Sequence, residues 1–248
     1  MSHFYREELP LQAIDVLLEN PIKFNKIILD EAQDLMNENY LLILDMLLEG
    51  GLRKGEWFFF GDFDLQTIYN RGISYDKTID MLENEANFAM FQLTINCRNT
   101  QNIQKEMNLI AGVNKESLNK DSSMPQVKYI TFESEEEQLE LLENELSKLL
   151  AAGISKSDIT LLSPFKMEQS IVSKVKKYKI VKCGENDENN ITYSTIQAFK
   201  GIENAVIILT DIRTYNKPDL MYVAMSRARS ILYIFETKKA KKYRQELN

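Results

Sequence analysis

Histidine is almost missing from this sequence: one residue, His3, in 248. That leaves no room for an imidazole-based triad or a His-rich metal site in the body of the chain. Cysteine is nearly as scarce. Cys97 and Cys183 stand far apart, without C-x-x-C spacing, which argues against a disulfide framework and against a zinc site. No apolar run approaches the ~18 residues a membrane span needs. The opening MSHFYREELP has no apolar core of a signal peptide, so the expected compartment is the cytoplasm. Basic charge is also in deficit: 30 Lys and Arg against 37 Asp and Glu, a net charge of −7. A protein that coats nucleic acid over its whole surface is usually basic. This composition excludes that class and leaves local binding in a groove open.

What is present is a repeated switch between strand-like and helix-like apolar periods. Helices are expected at 7–19, in MNENYLLILDMLLEG, in NTQNIQKEMNLIAG, in SEEEQLELLENELSKLLAAG, in MEQSIVSKVKKY, in PDLMYVAMSRAR and in KKAKKYRQEL. Ser134 and Glu137 have the spacing of a capping box. Strands are expected in NKIILD, EWFFFGD, MFQLTIN, QVKYITF, DITLLSPF, KIVKC, ITYST, AVIILTD and SILYIFE, and residues 112–125 read as a loop. This alternation implies an α/β fold: a mostly parallel sheet covered by helices on both faces. IILD, ITLLS and VIILT are apolar throughout, the composition of strands buried on two sides.

Ligand sites in open parallel sheets lie beyond the carboxyl ends of the strands. IILDEAQDL puts Asp30 and Glu31 at such an end. One carboxylate there suits Mg²⁺ and a second suits an attacking water; the rival is an acidic cap for the next helix. FFFGDFDLQTIY repeats the layout with Gly61, Asp62 and Gln66, and its rival is a plain turn. LTINCRNTQNI places Arg98 at a strand-to-helix junction, where a guanidinium can grip phosphate oxygens in bidentate fashion or make a surface ion pair. STIQAFKGIENAVIIL carries Gly201, free to turn tightly, and Glu203, able to accept from a ribose hydroxyl. LMYVAMSRARSILYIF carries Arg227 and Arg229, and for Arg229 a favourable place at a helix C-terminus suffices.

Five such strings in this order resemble superfamily 1 DNA helicases of the UvrD/Rep type, over roughly residues 20–235. DEAQD resembles their motif II, GDFDLQTIY motif III, LTINCRNTQNI motif IV, TIQAFKGIE motif V and YVAMSRAR motif VI. The resemblance implies a RecA-like fold and the cofactors ATP and Mg²⁺. It implies Asp30 as the Mg²⁺ ligand, Glu31 as general base, and Gln66 as γ-phosphate sensor. Arg98 and Arg227 would supply charge to the γ-phosphate; Gln33, Asp62, Gly201 and Glu203 would line the ATP site, with Glu203 on the ribose. Tyr69, Arg71, Thr195 and Gln197 would face single-stranded DNA, where stacking on an aromatic is worth roughly 1–3 kcal/mol per base.

The chain departs from that family in four places. It has nine glycines and no Gly-Lys pair, so the G-x-x-x-x-G-K-[ST] phosphate loop is not in it, and only positions 1–29 precede Asp30. The run YNRG lacks the second aromatic of motif III, and the spacing from Asp62 to Gln66 is one residue longer than usual. Gln197 stands where the family often has His. The interval between motifs IV and V has no room for a large helical insert.

The expected organisation is therefore a partial first RecA-like domain at 1–92 and a nearly complete second one at 93–248, with ATP in the cleft between them. The function this implies is the C-terminal part of an ATP-dependent DNA helicase or translocase, inactive alone. Its partners would be single-stranded DNA or a DNA junction, and the missing N-terminal motor segment in cis or in trans. The alternative is a degenerate, non-catalytic module that binds DNA or protein. The lysines of 166–182 read either as a solvated face or as a patch that tracks a DNA backbone.

Overall fold

The computed structural model describes residues 3–62, 75–119, 121, 123–185 and 189–247. The chain divides into two compact units, Met1–Gln92 and Leu93–Asn248. Among the described residues no helix is long and apolar enough to cross a membrane.

In the first unit a π-helical turn, Phe4–Glu8, runs into α1 (Leu9–Glu19). Then come β1 (Lys26–Leu29), a 3₁₀ turn at Ala32–Leu35, α2 (Glu38–Leu47), the short α3 (Gly51–Lys54), β2 (Glu56–Phe59) and α4 (Tyr75–Glu85). Asn37 caps α2 by accepting from Tyr40 N–H. β1 and β2 pair in parallel, Ile27 opposite Trp57 and Ile28 opposite Phe58. Ile27, Leu29, Trp57 and Phe59 point into a core with Leu41, Leu44, Leu48, Leu52 and Leu82. The other face departs from the two-sided burial expected of IILD. Ile28 is 67% exposed and Phe58 52%, because the helices of this unit pack on one side of the ribbon and successive side chains alternate between its faces. The sequence reading also missed α4.

The second unit begins with β3 (Ile95–Thr100), α5 (Gln101–Ala111) and β4 (Glu116–Asn119), the two strands pairing in parallel. β5 (Lys128–Phe132), α6 (Glu135–Ala151), β6 (Ile159–Ser163), β7 (Ile180–Lys182), β8 (Ile191–Thr195), β9 (Asn204–Ile212), α7 (Pro218–Ser226), β10 (Ala228–Thr237) and α8 (Lys238–Gln245) follow. Their six strands form one all-parallel sheet in the order β5-β10-β9-β6-β8-β7. Alternation divides it into two cores. Ile159, Leu161, Ile191, Tyr193, Val206 and Ile208 meet Leu142, Leu146 and Leu149 of α6. The opposite parity, Leu162, Ile207, Leu209, Leu232 and Ile234, is buried on the side where α7 and α5 pack. This is the mixed α/β fold with a helix-flanked parallel sheet that the alternation of periods implies.

Several boundaries differ from the sequence reading, each for a local reason. The strand expected at MFQLTIN lies later, at Ile95–Thr100. Residues 112–125 are not all loop, because β4 runs through them and Ser117 Oγ donates to Asn99 O at 2.8 Å. MEQSIVSKVKKY is not an α-helix but two 3₁₀ turns, Met167–Gln169 and Ile171–Lys174. Ser170 breaks it: its Oγ accepts from Val172 N–H and donates to Asp211, a local bond that competes with helix formation. In the capping box of α6, Ser134 accepts from Glu137 N–H as expected, but the Glu137 carboxylate takes the N–H of Glu133.

Candidate functional site

In the first unit the acidic string leaves β1 through a strained residue. Asp30 is exposed, and its Oδ1 accepts the Glu31 N–H at 2.9 Å. Glu31 has φ 51, a left-handed conformation that non-glycine residues adopt at a cost and that clusters at functional sites. Gln33 is buried. Its amide donates to Glu31 Oε2 at 2.6 Å and its carbonyl accepts from Asp62 N–H at 3.2 Å, so it brackets the ends of the two strings. Among the described residues no group of three or more His, Cys, Asp or Glu could hold a metal by itself. Magnesium carried by a nucleotide needs only one or two protein carboxylates, since phosphate oxygens and water complete its shell. Asp30 fits that part, with Glu31 held beside it. Gln66, Tyr69 and Arg71 lie outside the described residues.

In the second unit three strings that are distant in sequence meet at one place. Asn96 Oδ1 accepts the N–H groups of Arg98 and Asn99 at 2.8 and 3.1 Å, which turns the chain so that β3 delivers Arg98. Arg98 Nε lies 2.5 Å from Glu203 Oε2, and Arg229 Nε lies 4.0 Å from Glu203 Oε1. Arg227 is 1% exposed. It sits between α7 and β10, with its Nε donating to Val223 O at 3.0 Å, its Nη2 to Ser226 Oγ at 2.8 Å and its Nη1 to Ile202 O at 3.4 Å. Two consecutive residues therefore receive both arginine heads: Ile202 through its carbonyl and Glu203 through its carboxylate. Gly201, one residue earlier, has φ 83 and begins this presentation.

Thr195 and Gln197 precede that dipeptide. Thr195 Oγ1 accepts from Ala198 N–H and Gln197 O from Lys200 N–H, so both shape the turn after β8. On one side of Glu203 a pocket of about 280 Å³ is lined by Cys183, Phe199, Ile202 and Asn204 among others. Arg229 is not the helix-terminal charge expected of it. The helix stops at Ser226, and Arg229 stands in β10 facing Glu203.

Asn99 and Asn204 escaped the sequence reading. Asn99 is buried, and its Nδ2 donates to Ser226 O at 3.0 Å and to Ala228 O at 2.6 Å. Asn204 N–H donates to Arg227 O at 3.1 Å. Three successive carbonyls at the helix-to-strand junction are thus satisfied from outside the helix, as buried carbonyls must be. No sequence signal marks Asn99 beyond its position next to Arg98.

Two lysines of 166–182, Lys174 and Lys182, face acids. Lys174 pairs with Glu135, whose hydrogen bond and charge raise its pKa, and Lys182 pairs with Glu168. The N–H groups of Lys176 and Lys177 donate to Glu143.

Residues 62–239 match the family described as AAA domain. No curated protein matches the chain. A similar solved structure is the C-terminal domain of a possible DNA helicase from Lactobacillus plantarum WCFS1. It is 13% identical, with 61% of this chain and 94% of that chain covered and a TM-score of 0.47. With the family matching across most of its length, the chain belongs to the AAA domain family.

Proposed function

We propose that this chain is the C-terminal part of an ATP-dependent DNA helicase or translocase, coupling ATP hydrolysis to movement along single-stranded DNA. One observation carries the reading. Arg98 and Arg227, from two distant strings, are both held at the Ile202–Glu203 dipeptide. Two guanidiniums at one point are what a phosphoryl-transfer site uses to neutralise charge on a terminal phosphate.

In this reading ATP exchanges with the present partners of those arginines. Glu203 turns to the ribose, and Gly201 and the turn at Thr195 and Gln197 bring the backbone close to nucleotide and DNA. In the first unit Asp30 holds Mg²⁺ on the nucleotide, Glu31 orients the water, and Gln33 and Asp62 keep the strand ends together. Gln66, Tyr69 and Arg71 follow as phosphate sensor and DNA contacts. The phosphate loop comes from further polypeptide, in cis or in trans. The uncovered Ile28 and Phe58 face of β1 and β2 supports that, since parallel strands are ordinarily covered on both faces.

A fluorescent ATP analogue with Mg²⁺, titrated into the chain and its Arg98→Ala variant, tests the nucleotide site. Weaker binding by the variant is expected, and equal binding overturns the phosphate roles. Hydrolysis by the chain alone, with or without single-stranded DNA, is expected to be negligible; rapid DNA-stimulated turnover refutes the dependence on a separate phosphate loop. The deep burial of Arg227 favours a second reading, a non-catalytic binding module. Binding of single-stranded DNA that ignores both Arg98→Ala and Arg227→Ala, with no nucleotide bound, selects it.

A further inference from the structure

We infer that Asn99 is a positioning residue that acts through Arg227, fixing the junction from which the Arg227 guanidinium reaches a nucleotide phosphate. This rests on the phosphate role proposed above for Arg227. The geometry is specific. α7 ends at Ser226 and β10 starts at Ala228, so Arg227 is the sole residue between a helix and a strand. A junction this short has no slack of its own. Its direction depends on what holds the carbonyls on either side.

Asn99 holds both. One Nδ2 hydrogen goes to Ser226 O at 3.0 Å and the other to Ala228 O at 2.6 Å. The carbonyl between them, on Arg227, takes Asn204 N–H. Asn99 Oδ1 is occupied as well, accepting from Asn96 Nδ2 at 2.7 Å, while Asn96 Oδ1 holds the Arg98 N–H. An unbroken run of hydrogen bonds therefore joins the backbone at Arg98 to the backbone at Arg227.

Only an amide of this length supplies two donors and one acceptor at these places. Aspartate has the same shape and no donor when ionised. Serine has a single donor. The Arg227 guanidinium is held by Val223 O, Ser226 Oγ and Ile202 O, and Asn99 fixes the two carbonyls that flank its backbone, so its direction depends on the junction.

Two readouts on the full 248-residue chain test this. The first needs no nucleotide: hydrogen exchange of the Arg227 Nε–H by ¹⁵N NMR, the signal assigned by its loss in Arg227→Lys. Asn99→Asp is expected to speed that exchange by about tenfold or more, with Asn99→Ser between it and the wild type. Tyr215→Phe, which deletes a different buried hydrogen bond of the same unit, is expected to leave it unchanged. Unchanged exchange in Asn99→Asp, or equal acceleration in Tyr215→Phe, overturns the inference.

The second readout is a double-mutant cycle in affinity for the fluorescent ATP analogue with Mg²⁺. Asn99→Asp and Arg227→Ala are each expected to weaken binding by about tenfold, and the double variant to bind no worse than Arg227→Ala. Losses that multiply overturn action through Arg227. If Arg227→Ala alone binds as the wild type does, the phosphate role fails instead, and the exchange readout still decides whether Asn99 positions Arg227. Should Asn99→Asp not fold, Asn99→Ser takes its place in both readouts with the same expected directions.

Discussion

Arg98 and Glu203, brought from two distant strings, form an ion pair with Nε and Oε2 2.5 Å apart, and both side chains stay more than one-third exposed. Water screens such a pair, so its contribution to folding is about 0–1 kcal/mol. Its value lies in holding Arg98 at one address. Glu203→Gln is therefore expected to shift the urea midpoint very little. It should tighten binding of a free polyphosphate such as tripolyphosphate, because the anion no longer competes with a carboxylate for Arg98. Arg98→Ala should leave stability equally unmoved and weaken the same binding. Isothermal titration of both variants, beside urea melts, checks the pair of outcomes.

Gly201 is set by conformation and not by space. Its φ is 83, and a Cβ built there meets no atom within 4 Å. Gly201→Ala should consequently cost about 1 kcal/mol, the penalty of a left-handed backbone on an L-residue. If ATP approaches this turn as proposed, affinity for the fluorescent analogue should fall by more than stability does. A variant that loses stability and keeps its affinity removes Gly201 from the nucleotide site.

Asp211 is a second strained residue, at φ 61, and sits at a register shift between β9 and β10. An extra residue in one strand is what such a bulge requires. Its carboxylate accepts from Ser163 Oγ, Ser170 Oγ, Thr210 Oγ1 and the Ile171 N–H. The same bonds pull MEQSIVSKVKKY into 3₁₀ turns. Asp211→Ala keeps the strain and strands buried donors, so a loss of about 3 kcal/mol is expected. Asp211→Asn, which tolerates the left-handed region and keeps one acceptor, should lose less. Urea unfolding of the two variants ranks them.

ITLLS and VIILT announce buried parallel strands because burial on both faces suppresses polar residues at every position. IILD has the same composition and a different fate, since composition records what a strand tolerates and not what lies over it. Arg98, Glu203 and Arg227 are legible one at a time, as charges at strand ends. Their meeting at Ile202–Glu203 is not, because their side chains come together only when β3, β10 and the turn after β8 do. Asn99 is invisible for a related reason: a lone Asn beside an Arg has many uses, and only the carbonyls of Ser226 and Ala228 select one. The KKAKKYR helix looks wholly solvated, yet Arg244 reaches inward to a buried acid.

Acid sensitivity should be concentrated at Glu145. Burial pushes its carboxyl up, but Lys128 and Lys148 outweigh that and hold its pKa below the usual carboxylate range. A depressed folded pKa means stability that is present above the unfolded value of about 4.3 and lost as pH falls through the folded one. The wild type should keep this contribution from neutral pH down to that region. In Lys128→Met/Lys148→Met the cations are gone and burial alone acts, which raises the carboxyl. A raised folded pKa reverses the sign: the variant is destabilised at neutral pH, and relative to the wild type its stability should rise as pH falls through the folded value. Urea midpoints measured from pH 3 to pH 7 reveal the shift, and coincident profiles would refute it.

The last helix is fastened by a buried charge, and that makes Arg244 the most consequential basic residue of the C-terminus. Glu236 is fully buried in β10. Arg244 meets it in bidentate fashion, Nη2 to Oε1 at 2.6 Å and Nε to Oε2 at 3.0 Å, and Tyr215 OH adds a bond at 2.7 Å. The guanidinium also lies over the Tyr129 ring at 3.5 Å, and burial drives the Tyr129 and Tyr215 phenols above their ordinary range, keeping both as neutral donors. Removing one member of such a set leaves the other charge without a partner, at a cost of roughly 3–5 kcal/mol, whereas replacing both by apolar groups is often neutral. Arg244→Met is therefore expected to be severe and Glu236→Leu/Arg244→Met mild. Lys241→Met and Lys242→Met, on exposed positions of the same helix, should change nothing measurable. Urea unfolding separates these outcomes, and an Arg244→Met variant as stable as Lys242→Met would mean that the pair does not hold α8 to the sheet.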